Sequence, residues 1–270
     1  MIDTITSRDN SLLRQARAVR DGKIEELIYV EGLRLCEEAL RSNLKIEAVI
    51  VSEELERKER AAQAIAELSR VSKRTASVSE KLLESISYTK TPQGIVVLAE
   101  RPESSEARLA ESVSANPLLV VLHQINNPVN VGAILRTAEA AGATGVITTK
   151  NTSDPFSPKS LRGAMGSAFR LPIWSGPGFE EVVDWCRRRG IVTACADAEA
   201  STAYTDLDWS QGIAVFVGPE SSGFTADELM NADLKVKIPM QGLAESLNVS
   251  VAAGILLFEA ARQRAAKIPQ

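Results

Sequence analysis

The chain has 270 residues, of which 44% are hydrophobic, 24% are charged and only 4% are aromatic. This composition predicts ordinary globular domains in which helices and strands pack through aliphatic side chains. The formal net charge of −4 at pH 7 would repel a polyphosphate at long range, so any binding of RNA must come from local basic patches.

The cysteines and the apolar runs exclude two further classes of protein. Cys36, Cys186 and Cys195 show no CxxC spacing, so neither a disulfide framework nor a thiolate metal site is predicted. The N-terminus has no apolar signal region, and no apolar run approaches the roughly 20 residues that span a bilayer. We therefore expect a cytoplasmic protein with no membrane segment and no metal.

The first hundred residues predict a small α/β unit. Residues 7–20 have the periodicity of an amphipathic helix, with Arg14 and Arg17 turned away from its apolar stripe. This basic face could contact RNA or could be an ordinary solvated surface. Three β-rich runs and two helical patterns follow, at residues 27–30, 46–51, 94–99, 33–42 and 54–69.

The remainder of the chain predicts a second, larger domain. Residues 99–117 are rich in Ser, Glu and Pro, which is typical of a solvated linker. We expect a first domain at 1–100, a linker at 101–116 and a second domain at 117–270. From Leu118 onwards, aliphatic runs alternate with helical patterns, which predicts an open, parallel α/β sheet of five or six strands. The predicted strands are 118–122, 145–149, 171–174, 191–196, 213–218 and 234–239, and the predicted helices are 131–141, 158–166, 179–189, 225–231 and 247–265.

Ligands of open α/β sheets bind at the carboxyl ends of strands, and three such ends have unusual residues. In the first loop, at 123–143, Asn and Pro end the strand and Arg136 is predicted one turn into the next helix. A cation near the positive end of a helix dipole suggests an anionic partner. The alternative is a surface arginine after an ordinary turn.

The second loop, at 215–229, places Glu220 between Gly218 and Gly223. Thr225 is predicted to form a capping box with Glu228, which needs no ligand. Glu220 could be a solvated loop carboxylate or part of a site. The spacing is neither that of a dinucleotide fingerprint nor that of a Walker loop.

The third loop, at 238–261, leads into an otherwise apolar helix. Ser246 is a candidate N-cap, and Asn248 and Ser250 are further polar residues at the helix entry. Hydroxyl, amide and carboxylate groups beside the apolar residues 238–240 suit an adenosine-sized ligand with one charged end.

These loops resemble motifs 1, 2 and 3 of the SpoU/TrmH (SPOUT) family of RNA 2′-O-methyltransferases in order, spacing and position at strand ends. The matching residues are Asn130, Gly132, Arg136 and Thr137, then Gly218, Glu220 and Gly223, then residues 238–240 and 245–250. Residues 159–173 also resemble the stretch between motifs 1 and 2. Residues 6–98 resemble, more loosely, the L30e-like substrate-binding domain of the rRNA methyltransferase branch.

The resemblance implies a trefoil-knotted parallel sheet after a small α/β domain, with the site at a homodimer interface. It implies S-adenosylmethionine as cofactor, and the residues that would bind it are Gly218, Ile238, Met240 and Leu247. It implies that Arg136 engages the target ribose. Because a guanidinium stays protonated, Arg136 suits orientation and stabilisation of a developing alkoxide better than the role of a base. The residues implied to orient it, the ribose and the loops are Asn130, Glu220, Ser246 and Asn248.

The expected methyl acceptor is a ribose 2′-hydroxyl of structured RNA, with 23S rRNA ahead of tRNA. A catalytically silent RNA-binding homologue is the alternative of a different class, and the intact Arg136 and residues 245–250 argue against it. An enzyme that methylates bases would be expected to lack the pair Asn130 and Arg136. An enzyme acting on small molecules would leave the basic face of the first domain without a use.

The chain departs from the family pattern around motifs 1 and 2. Residues 127–130 read Asn-Pro-Val-Asn where relatives often have Asp-Pro-Gly-Asn, and His123 stands where an acidic residue is frequent. Pro219 precedes Glu220 where Asn or Ala is common, and no basic residue follows Glu220. His123 is expected to be a structural residue at a strand end. The modified nucleotide, the effect of these departures on substrate choice, and a housekeeping or antibiotic-resistance role stay open.

Overall fold

The computed structural model describes residues 2–219 and 222–266. The strands are β1 (Asp3–Ile5), β2 (Leu27–Glu31), β3 (Ile46–Ser52), β4 (Arg74–Val78), β5 (Ile95–Glu100), β6 (Leu118–Leu122), β7 (Gly145–Thr148), β8 (Ile173–Ser175), β9 (Val192–Ala196), β10 (Thr202–Ala203), β11 (Ile213–Val217) and β12 (Leu234–Lys237). The helices are α1 (Ser11–Arg20), α2 (Leu33–Arg41), α3 (Glu53–Glu56), α4 (Glu59–Val71), α5 (Glu80–Ile86), α6 (Glu106–Ser112), α7 (Pro128–Ala140), α8 (Pro158–Ala164), α9 (Ser167–Arg170), α10 (Phe179–Arg188), α11 (Ala226–Asn231) and α12 (Val249–Ala266).

The described residues fall into two compact units. The first unit lies within Met1–Pro102 and Phe156–Arg170, and the second unit lies within Glu103–Pro155 and Leu171–Gln270. The predicted linker therefore differs from the structure, because α6 belongs to the second unit and Leu109 is fully buried in its core. Residues 156–170, which the sequence assigned to the catalytic domain, group with the first unit.

The first unit has a mixed five-stranded sheet in the order β1-β4-β3-β5-β2. β1, β3 and β4 are parallel, whereas β5 runs antiparallel to both β3 and β2. The amphipathic helix predicted at 7–20 is α1, which buries Leu12, Leu13, Ala16 and Val19 against this sheet's core. Each of the leucine and valine side chains contributes about 1.5–3 kcal/mol when fully buried. Strands β1 and β4 and helix α5 escaped prediction, since they are short and have mixed polarity.

The second unit has a seven-stranded sheet in the order β10-β12-β9-β11-β6-β7-β8, and every neighbouring pair is parallel. All five residues of β6 and all five of β11 are buried, which explains why they read as continuous aliphatic runs. The predicted α/β fold with a parallel sheet is confirmed. The sheet exceeds the five or six strands expected because the two-residue strand β10 has no recognisable pattern. The trefoil knot stays a prediction.

Arg264, near the C-terminal end of α12, fastens that helix to two loops of the second unit. Its guanidinium donates to the carbonyl oxygens of Trp209 at 2.9 Å, Asn116 at 2.7 Å, Pro117 at 3.1 Å and Gln211 at 2.6 Å. The residues after Asn116 and Gln211 lead into β6 and β11. These four hydrogen bonds therefore connect α12 to the start of both central strands.

Within the described ranges, no helix is both long and apolar enough to cross a membrane.

Candidate active site

The three motifs lie at the same edge of the second unit's sheet. Motif 1 follows β6, motif 2 follows β11 and motif 3 follows β12, with β9 between β11 and β12. Because all these strands are parallel, their carboxyl ends are neighbours. The sheet therefore assembles residues that are more than a hundred positions apart in the sequence.

Motif 1 forms the first turns of α7. Pro128 is its first residue, and the Asn127 side chain caps it by accepting the Val129 N–H at 3.0 Å. The sequence placed this start near Val131, because Asn and Pro were interpreted as ending the strand rather than as beginning the helix.

Arg136 is exposed on α7 and, among the described residues, its side chain makes no ion pair or hydrogen bond. The helix begins at Pro128, so Arg136 lies more than two turns inside it. The argument that Arg136 sits at the positive helix end is therefore wrong, since that field fades within the first turn. The exposed guanidinium is therefore free to contact a ligand, and its position on α7 after the end of β6 is what links it to the other motifs.

Motifs 1 and 3 meet through two asparagines. Asn130 is buried on α7, and its Oδ1 accepts a hydrogen bond from Nδ2 of Asn248 at 3.4 Å. Asn248 also caps α12, because its Oδ1 accepts from the Ser250 N–H at 3.0 Å and from the Ser250 hydroxyl at 2.6 Å. The prediction that Ser246 caps this helix is wrong, since α12 begins at Val249.

Ser246 instead lines a small cavity beside β9 and β12, which we call the cofactor cavity. It has a volume of about 80 Å³, and its lining residues are Ala196, Asp197, Ala198, Val236, Lys237, Ile238, Met240, Glu245, Ser246 and Leu247. Apolar side chains and two carboxylates suit the adenine, ribose hydroxyls and sulfonium of S-adenosylmethionine. Ligand pockets usually measure roughly 300 Å³ or more, so this cavity is smaller than a site for the whole molecule, and the exposed residues 240–246 border it.

Motif 2 is a tight loop after β11. A Cβ atom at Gly218 would lie 2.8 Å from the Phe224 ring, so a larger residue there would require that ring to shift. Glu220, the predicted catalytic carboxylate, lies outside the described residues. The predicted capping box of α11 is confirmed, because Thr225 Oγ1 accepts the Glu228 N–H at 3.2 Å and Glu228 Oε2 accepts the Thr225 N–H at 2.8 Å.

His123 connects the ends of β6 and β11 to α11. Its backbone N–H donates to Val217 at 2.9 Å, its Nε2 lies 2.9 Å from Glu228 Oε1, and its Nδ1 lies 3.0 Å from Thr149 Oγ1. The ring stacks on Phe224 with centroids 5.7 Å apart. Burial lowers the pKa of His123, and the Glu228 carboxylate partly opposes that shift. The ring is therefore neutral near pH 7 and is packed between Thr149, Phe224 and Glu228, which agrees with a structural role at a strand end.

The structure brings together only part of the predicted site. Four predicted residues, Ile238, Met240, Ser246 and Leu247, line the cofactor cavity. Gly218, Asn130, Arg136 and Asn248 do not line it, although all follow neighbouring strands. Asp197 was missed, and its position after the predicted strand 191–196 was the available indication. Within the described part of the chain, no cluster of three or more His, Cys, Asp or Glu residues could hold a metal ion.

Comparison with known proteins agrees with this geometry. Residues 117–258 match the SpoU rRNA Methylase family, and residues 12–97 match the MRM3-like substrate binding domain. The chain is 30% identical over 229 residues to the 23S rRNA (guanosine(2553)-2′-O)-methyltransferase RlmP of Bacillus subtilis, covering 85% of this chain and 86% of that protein. It is 34% identical over 194 residues to the 23S rRNA (uridine(2479)-2′-O)-methyltransferase of Streptomyces viridochromogenes, covering 70% and 67%.

A solved structure extends the likeness to nearly the whole chain. The AdoMet-bound rRNA methyltransferase from Sinorhizobium meliloti superposes with a TM-score of 0.85 and 30% identity, over 97% of this chain and 98% of that one. These matches confirm the predicted family and, with it, an RNA 2′-O-methyltransferase that depends on S-adenosylmethionine. The chain belongs to the SpoU rRNA methylase family.

Proposed function

We propose that this protein methylates a ribose 2′-hydroxyl of 23S rRNA, with Arg136 acting on the target ribose. The observation that carries the proposal is the meeting of motifs 1 and 3 through Asn130 and Asn248, on the helix that presents the free guanidinium of Arg136. Relatives named as 23S rRNA 2′-O-methyltransferases support the choice of RNA. Because that substrate belongs to the ribosome, we infer that the protein acts in the cytoplasm.

The reaction needs alignment more than strong acid or base catalysis. S-adenosylmethionine supplies, when bound, a methyl group already activated by its sulfonium. The ribose 2′-oxygen attacks the methyl carbon as the carbon–sulfur bond breaks, and the hydroxyl proton passes to solvent. Arg136 orients the 2′-oxygen and stabilises the negative charge that develops on it. Asn130, Asn248 and Glu220 would hold the loops around it.

The cofactor would bind in the cofactor cavity. Ile238, Met240 and Leu247 offer an apolar wall for the adenine, while Ser246, Asp197 and Glu245 offer groups for the ribose and the charged end. Gly218 would allow the backbone of motif 2 to approach the bound cofactor. The close approach of the Phe224 ring to Gly218 supports this role, because a side chain at position 218 would push that ring aside.

Transfer of labelled methyl groups to separate RNAs tests the substrate. Purified protein with S-adenosylmethionine labelled in its methyl group should label 23S rRNA, and should label 16S rRNA and tRNA at background level. Labelling of tRNA alone would replace the proposed substrate with the second candidate. A protein that binds 23S rRNA but labels no RNA would be the catalytically silent homologue.

We further propose a homodimer that buries the exposed apolar faces of α7 and α12. On α12, Val251 and Phe258 are 51% and 54% exposed, although the opposite side of the helix is buried in the unit. Val129 is also exposed and lies two turns before Arg136 on α7. A helix that is apolar on both sides is typical of one buried between two layers. A second copy on this face would bring its own chain next to Arg136.

Charged substitutions on α12 test the dimer. Val251→Glu and Phe258→Glu should each give a monomer in analytical ultracentrifugation and lose most methyl transfer. Val71→Glu is a matched control, because Val71 is 46% exposed at the end of α4 in the first unit. Fully active monomers of the α12 variants would contradict the proposal.

A further inference from the structure

The first unit contains a cavity that the reaction does not use. It has a volume of about 310 Å³ and lies where β2 ends and α2 begins, beside residues 88–93 and α8. The lining residues are Glu31, Gly32, Arg34, Leu35, Thr89, Thr91, Gln93, Arg162 and Met165. We call it the Arg34–Arg162 cavity. Its size falls within the range of roughly 300–1,000 Å³ that is usual for ligand pockets.

Two guanidinium groups in this cavity have no protein partner. Among the described residues, neither Arg34 nor Arg162 makes an ion pair or a side-chain hydrogen bond. By contrast, Arg41 and Arg170 of the same unit both contact Glu38 at 2.6 Å. Arg34 and Arg162 are both exposed and both line this cavity, so two guanidinium groups there are available to an anionic ligand.

The carboxylate of Glu31 does not neutralise these arginines. Glu31 is buried, and its two oxygens accept the Tyr88 N–H at 2.9 Å and the Thr89 hydroxyl at 2.6 Å. Glu31 therefore fixes the loop of residues 88–93 against the end of β2. Gly32, which follows directly, has a φ of +100°, a conformation that glycine adopts readily, and its N–H donates to the Ile95 carbonyl at 3.1 Å.

The fixed loop presents an aromatic ring and a further cation. Tyr88 is 44% exposed, and Lys90 is exposed and makes no ion pair within the described chain. Tyr88 and Lys90 do not line the cavity themselves but flank Thr89, which does. An exposed aromatic ring on the same surface as free cations suits an unpaired nucleotide, because the ring stacks on a base while the cations contact the phosphate.

We propose that the Arg34–Arg162 cavity binds one unpaired nucleotide of the substrate RNA, with its phosphate between Arg34 and Arg162 and its base stacked on Tyr88. This assigns a role to residues 159–173, since α8 supplies Arg162 to the first unit. The inference rests on the proposed function only for the identity of the RNA. It also explains how a chain of net charge −4 binds RNA: through a few unpaired cations rather than an overall positive charge.

The double variant Arg34→Gln/Arg162→Gln tests the phosphate contact. Binding of full-length 23S rRNA, measured by filter binding, should weaken roughly 10- to 100-fold, and the slope of log Kd against log salt should fall by about 1. The matched control is Arg60→Gln/Arg70→Gln, which removes equal charge from exposed, unpaired positions on α4 of the same unit. Equal Kd values for the two double variants would overturn the proposal.

Tyr88 provides an independent test, because its ring is exposed and can be changed without disturbing the core. Tyr88→Ala should weaken RNA binding about 5- to 100-fold, whereas Tyr88→Phe should keep it within about twofold. Equal binding by the two Tyr88 variants would contradict stacking. In methyl transfer, the arginine and Ala variants should raise the KM for RNA and leave kcat and S-adenosylmethionine binding unchanged. If wild-type protein binds 23S rRNA through these residues but methylates nothing, the cavity stands and the proposed function fails.

Discussion

The two units bring different segments of the chain to one edge of their sheets, because one sheet is parallel and the other is mixed. In the second unit every strand ends at the same edge, so three motifs that follow strands become neighbours. In the first unit β5 is antiparallel to β2, and Glu31 pairs with Val96. β2 therefore ends at the same edge of the sheet at which β5 begins. The Arg34–Arg162 cavity lies at this edge, between the end of β2 and the loop that precedes β5.

The units also differ in the roles that we propose for their polar groups. In the second unit Asn248 donates to Asn130, and His123 lies between Thr149 and Glu228, so these contacts hold the strand-end loops together. In the first unit Arg34 and Arg162, which are unpaired among the described residues, line one cavity, which suits capture of an anion from solution. Variants in the second unit should therefore change kcat or stability, and variants in the first should change the KM for RNA.

The largest expected effect is on catalysis. Arg136→Ala should lower kcat by roughly 10²- to 10³-fold, because the charge on the 2′-oxygen loses its stabilising cation. S-adenosylmethionine binding, measured by calorimetry, should stay within a few-fold. Arg188→Ala, at an exposed and unpaired position on α10, should leave both unchanged. Full activity of Arg136→Ala would remove Arg136 from the mechanism.

The second largest expected effect is a loss in the free energy of unfolding of the second unit. Arg264→Ala should cost about 3 kcal/mol, because four carbonyl oxygens lose a charged donor. Trp174, Trp185 and Trp209 are the only tryptophans and all lie in the second unit, so urea unfolding followed by tryptophan fluorescence reports on that unit. Arg187→Ala, which removes only an exposed ion pair with Asp184 on α10, should cost under about 1 kcal/mol. Equal losses of stability in the two variants would contradict a stabilising role for the four hydrogen bonds of Arg264.

A smaller effect concerns the link between motifs 1 and 3. Asn130→Ala, Asn248→Ala and the double variant form a cycle in which the two asparagines should couple by about 0.5–1 kcal/mol in urea unfolding. Ser250→Ala is the control, because it removes a second bond to Asn248 and leaves Asn130 untouched. Strict additivity of the two asparagine variants would show that their hydrogen bond does not connect the motifs.

The smallest expected effect is a pH dependence from the chain's one histidine. The pKa of His123 is lowered in the folded protein by burial, against the opposing charges of Glu228 and Glu180. The unfolded chain thus binds the proton more tightly, and stability should fall as the pH drops below the unfolded value of about 6.5. His123→Gln should remove this slope between pH 7.5 and 5.5, measured by tryptophan fluorescence. An unchanged slope in the His123→Gln variant would show that other titratable groups cause the pH dependence of stability.

Much of the second unit could be predicted from its sequence because buried parallel strands read as aliphatic runs. The motif loops followed from the same reading, since each comes directly after such a run. The start of α7 was misplaced, because Asn127 and Pro128 end strands and also begin helices. Asp197 was missed because its strand end carries no recognised motif.

The first unit could be predicted less well, for two physical reasons. β1 and β4 are short and polar, so their burial depends on neighbours that lie far away in the sequence. The Arg34–Arg162 cavity depends on α8, which lies more than a hundred positions after α2 in the sequence. No local pattern around Arg34 or Arg162 indicates that they share a cavity.

The position of the methyl group on the nucleotide tests the central claim most directly. 23S rRNA labelled by this protein should be digested with alkali, which cleaves only next to a free 2′-hydroxyl. We predict that the label appears in an alkali-resistant dinucleotide, because a 2′-O-methyl group blocks that cleavage. Label recovered entirely in mononucleotides would place the methyl group on a base and contradict ribose 2′-O-methylation.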